Sequence, residues 1–211
     1  MANKYKKIAV SISLLLVAVW CFLGTGASLA WFADTDEEVK NVFHFAEFDL
    51  EVSHLVEDSG WEKVEQDTKV FNDEALYEPG YTQVVYLKIE NKGTVPFDFK
   101  TAVSVTDYTL ATNVFGQSFQ LQDYLKFGLT TANTMEELQG KVKTRDLANE
   151  LAVMPLSNYS TETVSLDAKG TVYMALVVRM PENVGNAANY RGGVIPRVAL
   201  GLIVTATQQT D

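Results

Sequence analysis

The chain has 211 residues, 47% hydrophobic and 21% charged, with a formal charge of −10. That composition excludes a disordered chain, and 13 glycines without a triplet period exclude collagen. The acidic balance repels phosphate backbones and speaks against a nucleic-acid partner.

The N-terminus reads as a targeting segment. Lys4, Lys6 and Lys7 precede an apolar, uncharged stretch from Ile8 to Leu23, which Gly24, Thr25 and Gly26 interrupt. Ser28 and Ala30 then offer small residues at the −3 and −1 positions. This is the layout of a secretory signal peptide spanning residues 1–30, with cleavage expected between Ala30 and Trp31. The alternative is an uncleaved anchor, so membrane contact is expected only through the uncleaved signal. Cleavage removes three lysines and the single cysteine, Cys21, leaving a more acidic chain without a thiol. The C-terminal stretch GLIVTATQQTD carries neither a hydrophobic tail nor an LPxTG-like sorting sequence. The expected destination is outside the membrane, secreted to an extracellular matrix or the cell surface.

Residues 31–211 read as one domain, mainly strand. Glu47 to Leu55 and Lys63 to Phe71 are weak candidates. Thr82 to Asn91 is strong: Val85, Leu87 and Ile89 alternate with Val84, Tyr86, Lys88 and Glu90, between the turn signals Pro79-Gly80 and Asn91-Lys92-Gly93. Pro96 to Thr106 repeats the alternation with Phe97, Phe99, Thr101, Val103 and Val105 on one face. Tyr124 to Thr130 is weaker. Residues 131–155 break the pattern as a helical insert. Thr134 with Glu137 opens a capping box, and Leu147, Leu151 and Met154 recur at helical spacing before Pro155. Glu162 to Leu166 is a weak strand. Gly170 to Met180 is a strong one with Val172, Met174, Leu176 and Val178 together, and Gly193 to Gln208 places Val194, Val198, Leu200, Leu202 and Val204 on one side. Such a series of runs, separated by turns, indicates an all-β fold, a β-sandwich or a barrel.

Catalytic material is sparse. The two histidines, His44 and His54, lie in strand-like sequence and form no HExxH pair, so they read as half-buried polar residues. No GxSxG, P-loop or GxGxxG is present. The carboxylates Asp34, Asp36, Glu37 and Glu38, with Asp49, Glu51, Glu57 and Asp58 nearby, lack calcium-loop spacing and read as a solvated face. Neither a metal, a cofactor nor an enzymatic activity is expected.

Several segments together resemble one family. Gly24 to Asp36 (GTGASLAWFADTD) and Asn41 to Val52 (NVFHFAEFDLEV) are similar to the TasA/camelysin (CalY) family of Gram-positive bacteria, with Phe32, Asp34, Thr35, Asn41, Phe43, Ala46, Asp49 and Leu50 matching. Glu47 and Phe48 replace the usual glycine and small polar residue. Glu78-Pro-Gly80, Ile89 to Thr94, Asn189 to Gly192 and Ile203 to Gln208 also resemble family elements, with Arg191 where glutamine is usual. The resemblance implies a jelly-roll-like antiparallel β-sandwich, export through a SipW-type signal peptidase, and assembly into extracellular biofilm-matrix fibres. It covers the first third and the C-terminal end, not the helical insert.

The polymer has its own physical reading. Residues 31–48 form an apolar segment freed at its start by cleavage. Trp31, Phe32, Asp34, Thr35, Asn41, Phe43 and Phe45 mark it as the expected assembly strand. A released apolar strand needs a sheet edge, and donation to the next copy gives a head-to-tail homopolymer. Two other classes stay open. One is a cell-surface, camelysin-like metalloprotease, for which the sequence supplies no catalytic constellation. The other is a monomeric surface- or carbohydrate-binding module that stacks sugars on Trp61 and Tyr81.

Overall fold

A computed structural model describes residues 42–44, 49–72, 75, 77–156 and 163–208, with side chains for all of these except 42–44 and 208. The strands are β1 Val42–His44, β2 Leu50–Val56, β3 Gly60–Lys63, β4 Thr82–Asn91, β5 Phe97–Tyr108, β6 Ala111–Thr112, β7 Ser118–Phe119, β8 Lys126–Ala132, β9 Met154–Pro155, β10 Val164–Leu166, β11 Thr171–Arg179 and β12 Val198–Gln208. Two short helices, α1 Met135–Lys141 and α2 Arg145–Leu151, lie between β8 and β9.

The strands form two main sheets. The first has the order β1-β12-β5-β10 and the second β3-β2-β4-β11-β8-β9, while β6 and β7 pair separately. Among the described residues every pairing is antiparallel except β1 with β12. The fold is therefore all-β, a jelly-roll-like antiparallel β-sandwich with short helical insertions.

Alternation along the strands builds the core. Phe97, Phe99 and Val103 of β5 and Leu200, Leu202 and Val204 of β12 face Leu87, Ile89, Met174, Leu176 and Val178 of the second sheet in one buried cluster. Each such side chain contributes roughly 1.5–3 kcal/mol by leaving water. The turns at the ends of β4 are built as their residues dictate. Gly80 has φ +92°, a conformation glycine adopts freely, and Tyr81 N–H donates to Glu78 C=O at 2.8 Å to close the turn. At the other end the buried Asn91 side chain donates to Val95 C=O (2.9 Å) and Asp167 C=O (3.0 Å) and accepts from Gly93 N–H (2.9 Å).

The helices cover part of the second sheet's outer face. Leu138, Val142, Ala148 and Ala152 bury Ala132, Ala175 and Val177 in a second cluster, so β11 is buried on both faces. Thr134 Oγ1 accepts from Glu137 N–H and Thr144 Oγ1 from Leu147 N–H, which caps both helix starts. Arg179 Nε donates to Ala152 C=O at 2.8 Å, and Thr82 Oγ1 donates to Asn149 Oδ1 at 2.7 Å. These bonds tie α2 to β11 and β4. Gly128 permits the closest approach: a Cβ there would lie 2.1 Å from Leu151 O.

The structure departs from the sequence pattern at four places. Lys63 to Phe71 is not a strand beyond β3; Val64, Val70 and Phe71 are buried from an irregular segment. Val105 is exposed near the end of β5, opposite Leu200, where the β5–β12 register shifts. β12 begins only at Val198, leaving Val194 exposed in the preceding loop. In α2 the buried residue is Ala148 rather than Leu147, and Met154 belongs to β9, paired with Phe127.

Candidate functional site

β12 carries no charged residue from Val198 to Gln208. Its alternate residues Val198, Leu200, Leu202, Val204 and Ala206 are buried, which fixes its face against the core. On one side it pairs with β5 along its whole length. On the other it pairs with three residues of β1 in parallel: Val42 beside Ile203, Phe43 beside Val204 and His44 beside Thr205. No other strand lies on that side of Val198 to Gly201 among the described residues.

An edge of this kind is a template for backbone pairing. The remaining edges are guarded. β3 is four residues long and ends in the exposed Glu62 and Lys63. β9 has two residues and includes Pro155, which lacks a donor. β10 has three residues, and its Ser165 hydroxyl donates to Asp98 Oδ1 at 2.7 Å. Among the described residues, β12 is the long, uncharged strand of which one side is paired only in part.

Of the expected assembly strand, Phe43 lies in β1, with its backbone beside Val204. Trp31, Phe32, Asp34, Thr35, Asn41 and Phe45 lie outside the described residues, as do Ala30 and the signal peptide. Among the described residues no helix is long and apolar enough to cross a membrane.

The two histidines lie on strands of different sheets. His44 is in β1, and His54 is buried on the core face of β2, opposite Leu87 and Glu62. Burial lowers the His54 pKa, and the Glu62 carboxylate opposes that shift only in part. Its Nε2 has no hydrogen-bond partner among the described residues. No group of three or more His, Cys, Asp or Glu converges among the described residues.

Charges gather on the second sheet's outer face instead. Glu90 bridges Lys88 at 2.8 Å and Lys92 at 2.9 Å, and Lys92 also reaches Glu51 at 3.6 Å. Burial pushes the Glu90 carboxyl up, but hydrogen bonds and charge from Lys88 and Lys92 outweigh it and hold the pKa low. These groups pair with one another in a ladder along the sheet face.

Trp61 and Tyr81 do not make one platform. The Trp61 ring lies 5.8 Å from the Tyr173 ring, with Lys88 Nζ 5.7 Å from its centroid. Tyr81 packs edge-on against the buried Tyr77 at 5.2 Å. Trp61 stands on β3 and Tyr173 three strands away on β11, so strand spacings of about 4.8 Å require the two rings to reach across the sheet face. Ser53, in the row between them, is buried there.

No family model matches the chain, and no curated protein matches it. Among solved structures, a PapD-like (ASH) domain of human CEP192 is similar at 13% identity and a TM-score of 0.30, covering 84% of this chain and 98% of that one. A family 123 glycoside hydrolase from Clostridium perfringens is similar at 11% identity and a TM-score of 0.25, covering 60% of this chain and 21% of that one. These likenesses are too distant to carry a functional argument.

Proposed function

We propose that this chain is an exported structural subunit that polymerises head to tail, each copy lending its N-terminal strand to the β12 edge of the next. The observation that carries the reading is the pairing at that edge. A three-residue parallel ladder from β1 sits beside a strand of eleven residues. The described part of that ladder holds few backbone bonds, and a longer strand from a neighbour in the same position exchanges those bonds for more of the same kind. A contact between the start of one chain and the β12 edge of another is heterologous, and such contacts propagate into filaments where the rotation does not close.

The resemblance of the N-terminal third to secreted matrix-fibre proteins supports the same reading. Removal of the signal peptide by a SipW-type peptidase then frees the donor strand outside the cell. Tethering of the strand's start to the membrane before cleavage suppresses assembly in the cytoplasm.

The test is a deletion of residues 31–40 in the full-length gene. Protein recovered from the medium is compared with the intact product by negative-stain microscopy and light scattering. We expect the deletion to leave the urea midpoint of the sandwich nearly unchanged and to abolish filament growth. Filaments from the deletion variant at the intact rate would sink the donor-strand mechanism.

A further inference from the structure

Most of the large apolar side chains exposed among the described residues gather on two segments at one end of the sandwich. Tyr108, Leu110 and Phe115 belong to the segment that leaves β5, and Tyr190, Val194 and Ile195 to the one that leads into β12. Phe115 is 66% exposed, Leu110 56% and Val194 51%. Backbone bonds hold the segments together: Thr109 N–H to Arg197 C=O at 2.9 Å, Arg191 N–H to Thr112 C=O at 2.7 Å, and Val114 N–H to Asn189 C=O at 3.0 Å. Apolar exposure gathered in this way marks an interaction surface.

The surface is made of projecting turns that hold their shape. The side chain of Asn113 is buried, accepts from Phe115 N–H (3.0 Å) and Gln117 N–H (2.9 Å), and donates to Ala187 C=O (3.2 Å). A Cβ added at Gly116, Gly192 or Gly193 would meet nothing within 4 Å, so both turns face open space. The cleft beside Tyr190 and Ile195 has room for about 80 Å³. That is less than the roughly 150 Å³ of an apolar cavity that takes up benzene, so it does not receive an aromatic anchor from a protein partner. Projecting apolar tips without a pocket suit a deformable apolar medium.

Charge narrows the medium further. Residues 108–122 and 183–208 carry no carboxylate, although the chain has 27 Asp and Glu against 17 Lys and Arg. The charges on these segments are Arg191 and Arg197, both exposed and in no ion pair among the described residues. Arg191 stands between Tyr190 and the Gly192-Gly193 turn. Arg197 lies one position outward of Val198, the partner of Tyr108. The bordering carboxylates are Asp107, one position inward and paired with Ala199, and Glu78, at the cleft. Apolar tips with tyrosines and arginines beside them are the composition of a segment that sits in the headgroup layer of a bilayer.

We propose that this end of the sandwich docks on a lipid bilayer that contains anionic phospholipid. Leu110, Phe115 and Val194 enter the boundary of the acyl chains. Tyr108 and Tyr190 lie at headgroup level, and the guanidinium groups of Arg191 and Arg197 meet lipid phosphates. The same headgroups repel the acidic remainder of the chain, so the molecule stands end-on. The turns are already ordered, which lowers the cost of docking. The surface needs no second copy, so the inference goes beyond the polymer reading and is tested apart from it.

The experiment uses protein secreted from the full-length gene and vesicles of phosphatidylcholine, with or without an equal part of phosphatidylglycerol. We expect the protein to float with the anionic vesicles. Phe115→Ser and Val194→Asp, made separately on different turns, should each weaken binding by about tenfold or more with urea midpoints unchanged. Arg191→Gln combined with Arg197→Gln should weaken binding to the anionic vesicles and leave binding to pure phosphatidylcholine as it was. For depth, an apolar fluorophore is attached at Phe115→Cys, and for comparison at the exposed Lys143→Cys, both in a Cys21→Ser background. Lipids brominated on their acyl chains should quench the label at 115 and not at 143. Absence of vesicle binding overturns the proposal, as does equal quenching at the two positions. Binding unchanged in Phe115→Ser or in Val194→Asp overturns it too, and is the result an uncleaved apolar N-terminus acting alone would give. Variants that keep vesicle binding but lower the mass of assemblies in lipid-free buffer overturn it by assigning the surface to contacts between copies. Filament growth in lipid-free buffer, with and without residues 31–40, tests the polymer reading alone.

Discussion

His54 stands on the core face of β2 with its Nε2 unpartnered among the described residues, and burial lowers its pKa below the ordinary 6.5. Above pH 6.5 the residue is neutral whether the chain is folded or not. As pH falls below 6.5 the unfolded chain takes up a proton that the folded chain refuses, so stability falls until the lower folded pKa is passed. Urea midpoints should therefore decline between pH 7.5 and 5.5, and the decline should be smaller in His54→Leu. Equal slopes for the two proteins would show that His54 does not carry the dependence. Two asparagines make a complementary case. Asn113→Ala should cost about 1–3 kcal/mol, read from the urea midpoint, because it leaves the N–H groups of Phe115 and Gln117 without their acceptor. Neither Asn91 nor Asn113 declares this role in the sequence beyond a local turn signal. Each also bonds a carbonyl more than seventy residues away, to Asp167 and Ala187 respectively. Short-range patterns carry no information about such partners.

At the scale of elements, legibility followed the number of faces each element buries. β4 matches its expected bounds because one face alternates cleanly into the core. β11 is legible from Val172, Met174, Leu176 and Val178, but its second buried face, Ala175 and Val177, depends on where α1 and α2 settle. The cap residues Thr134 and Thr144 mark helix starts reliably, since each satisfies a backbone donor locally. The buried face of α2 was not legible. Its spacing favoured Leu147 and Met154, whereas close packing over Gly128 brings the small Ala148 and Ala152 inward. That packing makes Gly128→Ala a sharp test of the helical insert. The new methyl would meet the Leu151 carbonyl, and relieving the clash should cost about 1–3 kcal/mol. Hydrogen exchange should accelerate over residues 135–151 while the β5–β12 ladder keeps its protection. Unchanged exchange in the helices would show that the insert has room the structure does not assign to it.

For the whole molecule, the two-sheet core follows from period-two patterning, but the side of β12 that is only partly paired among the described residues does not. An edge is a property of strand order, and strand order depends on pairings such as β12 with β5, about a hundred residues apart in sequence. The charge balance bears on what happens at that edge. Copies of a chain of charge −10 repel one another, and the proposed signal-peptide cleavage would remove three lysines and make each copy more acidic. At physiological ionic strength this repulsion is screened over about 8 Å, a length comparable with the spacing of surfaces in contact. Donor-strand docking adds backbone bonds and apolar burial, neither of which salt weakens in that way. Filament growth should therefore quicken as sodium chloride rises from about 0.01 to 0.15 M, where the Debye length shrinks from about 30 to about 8 Å. Light scattering at constant pH isolates this effect from carboxylate protonation and from His54. A second series at fixed salt, with pH lowered toward the carboxylate range, should quicken growth again until loss of stability intervenes. Growth that slows with salt at constant pH would mean that attraction between opposite charges, rather than strand exchange against net repulsion, joins the subunits.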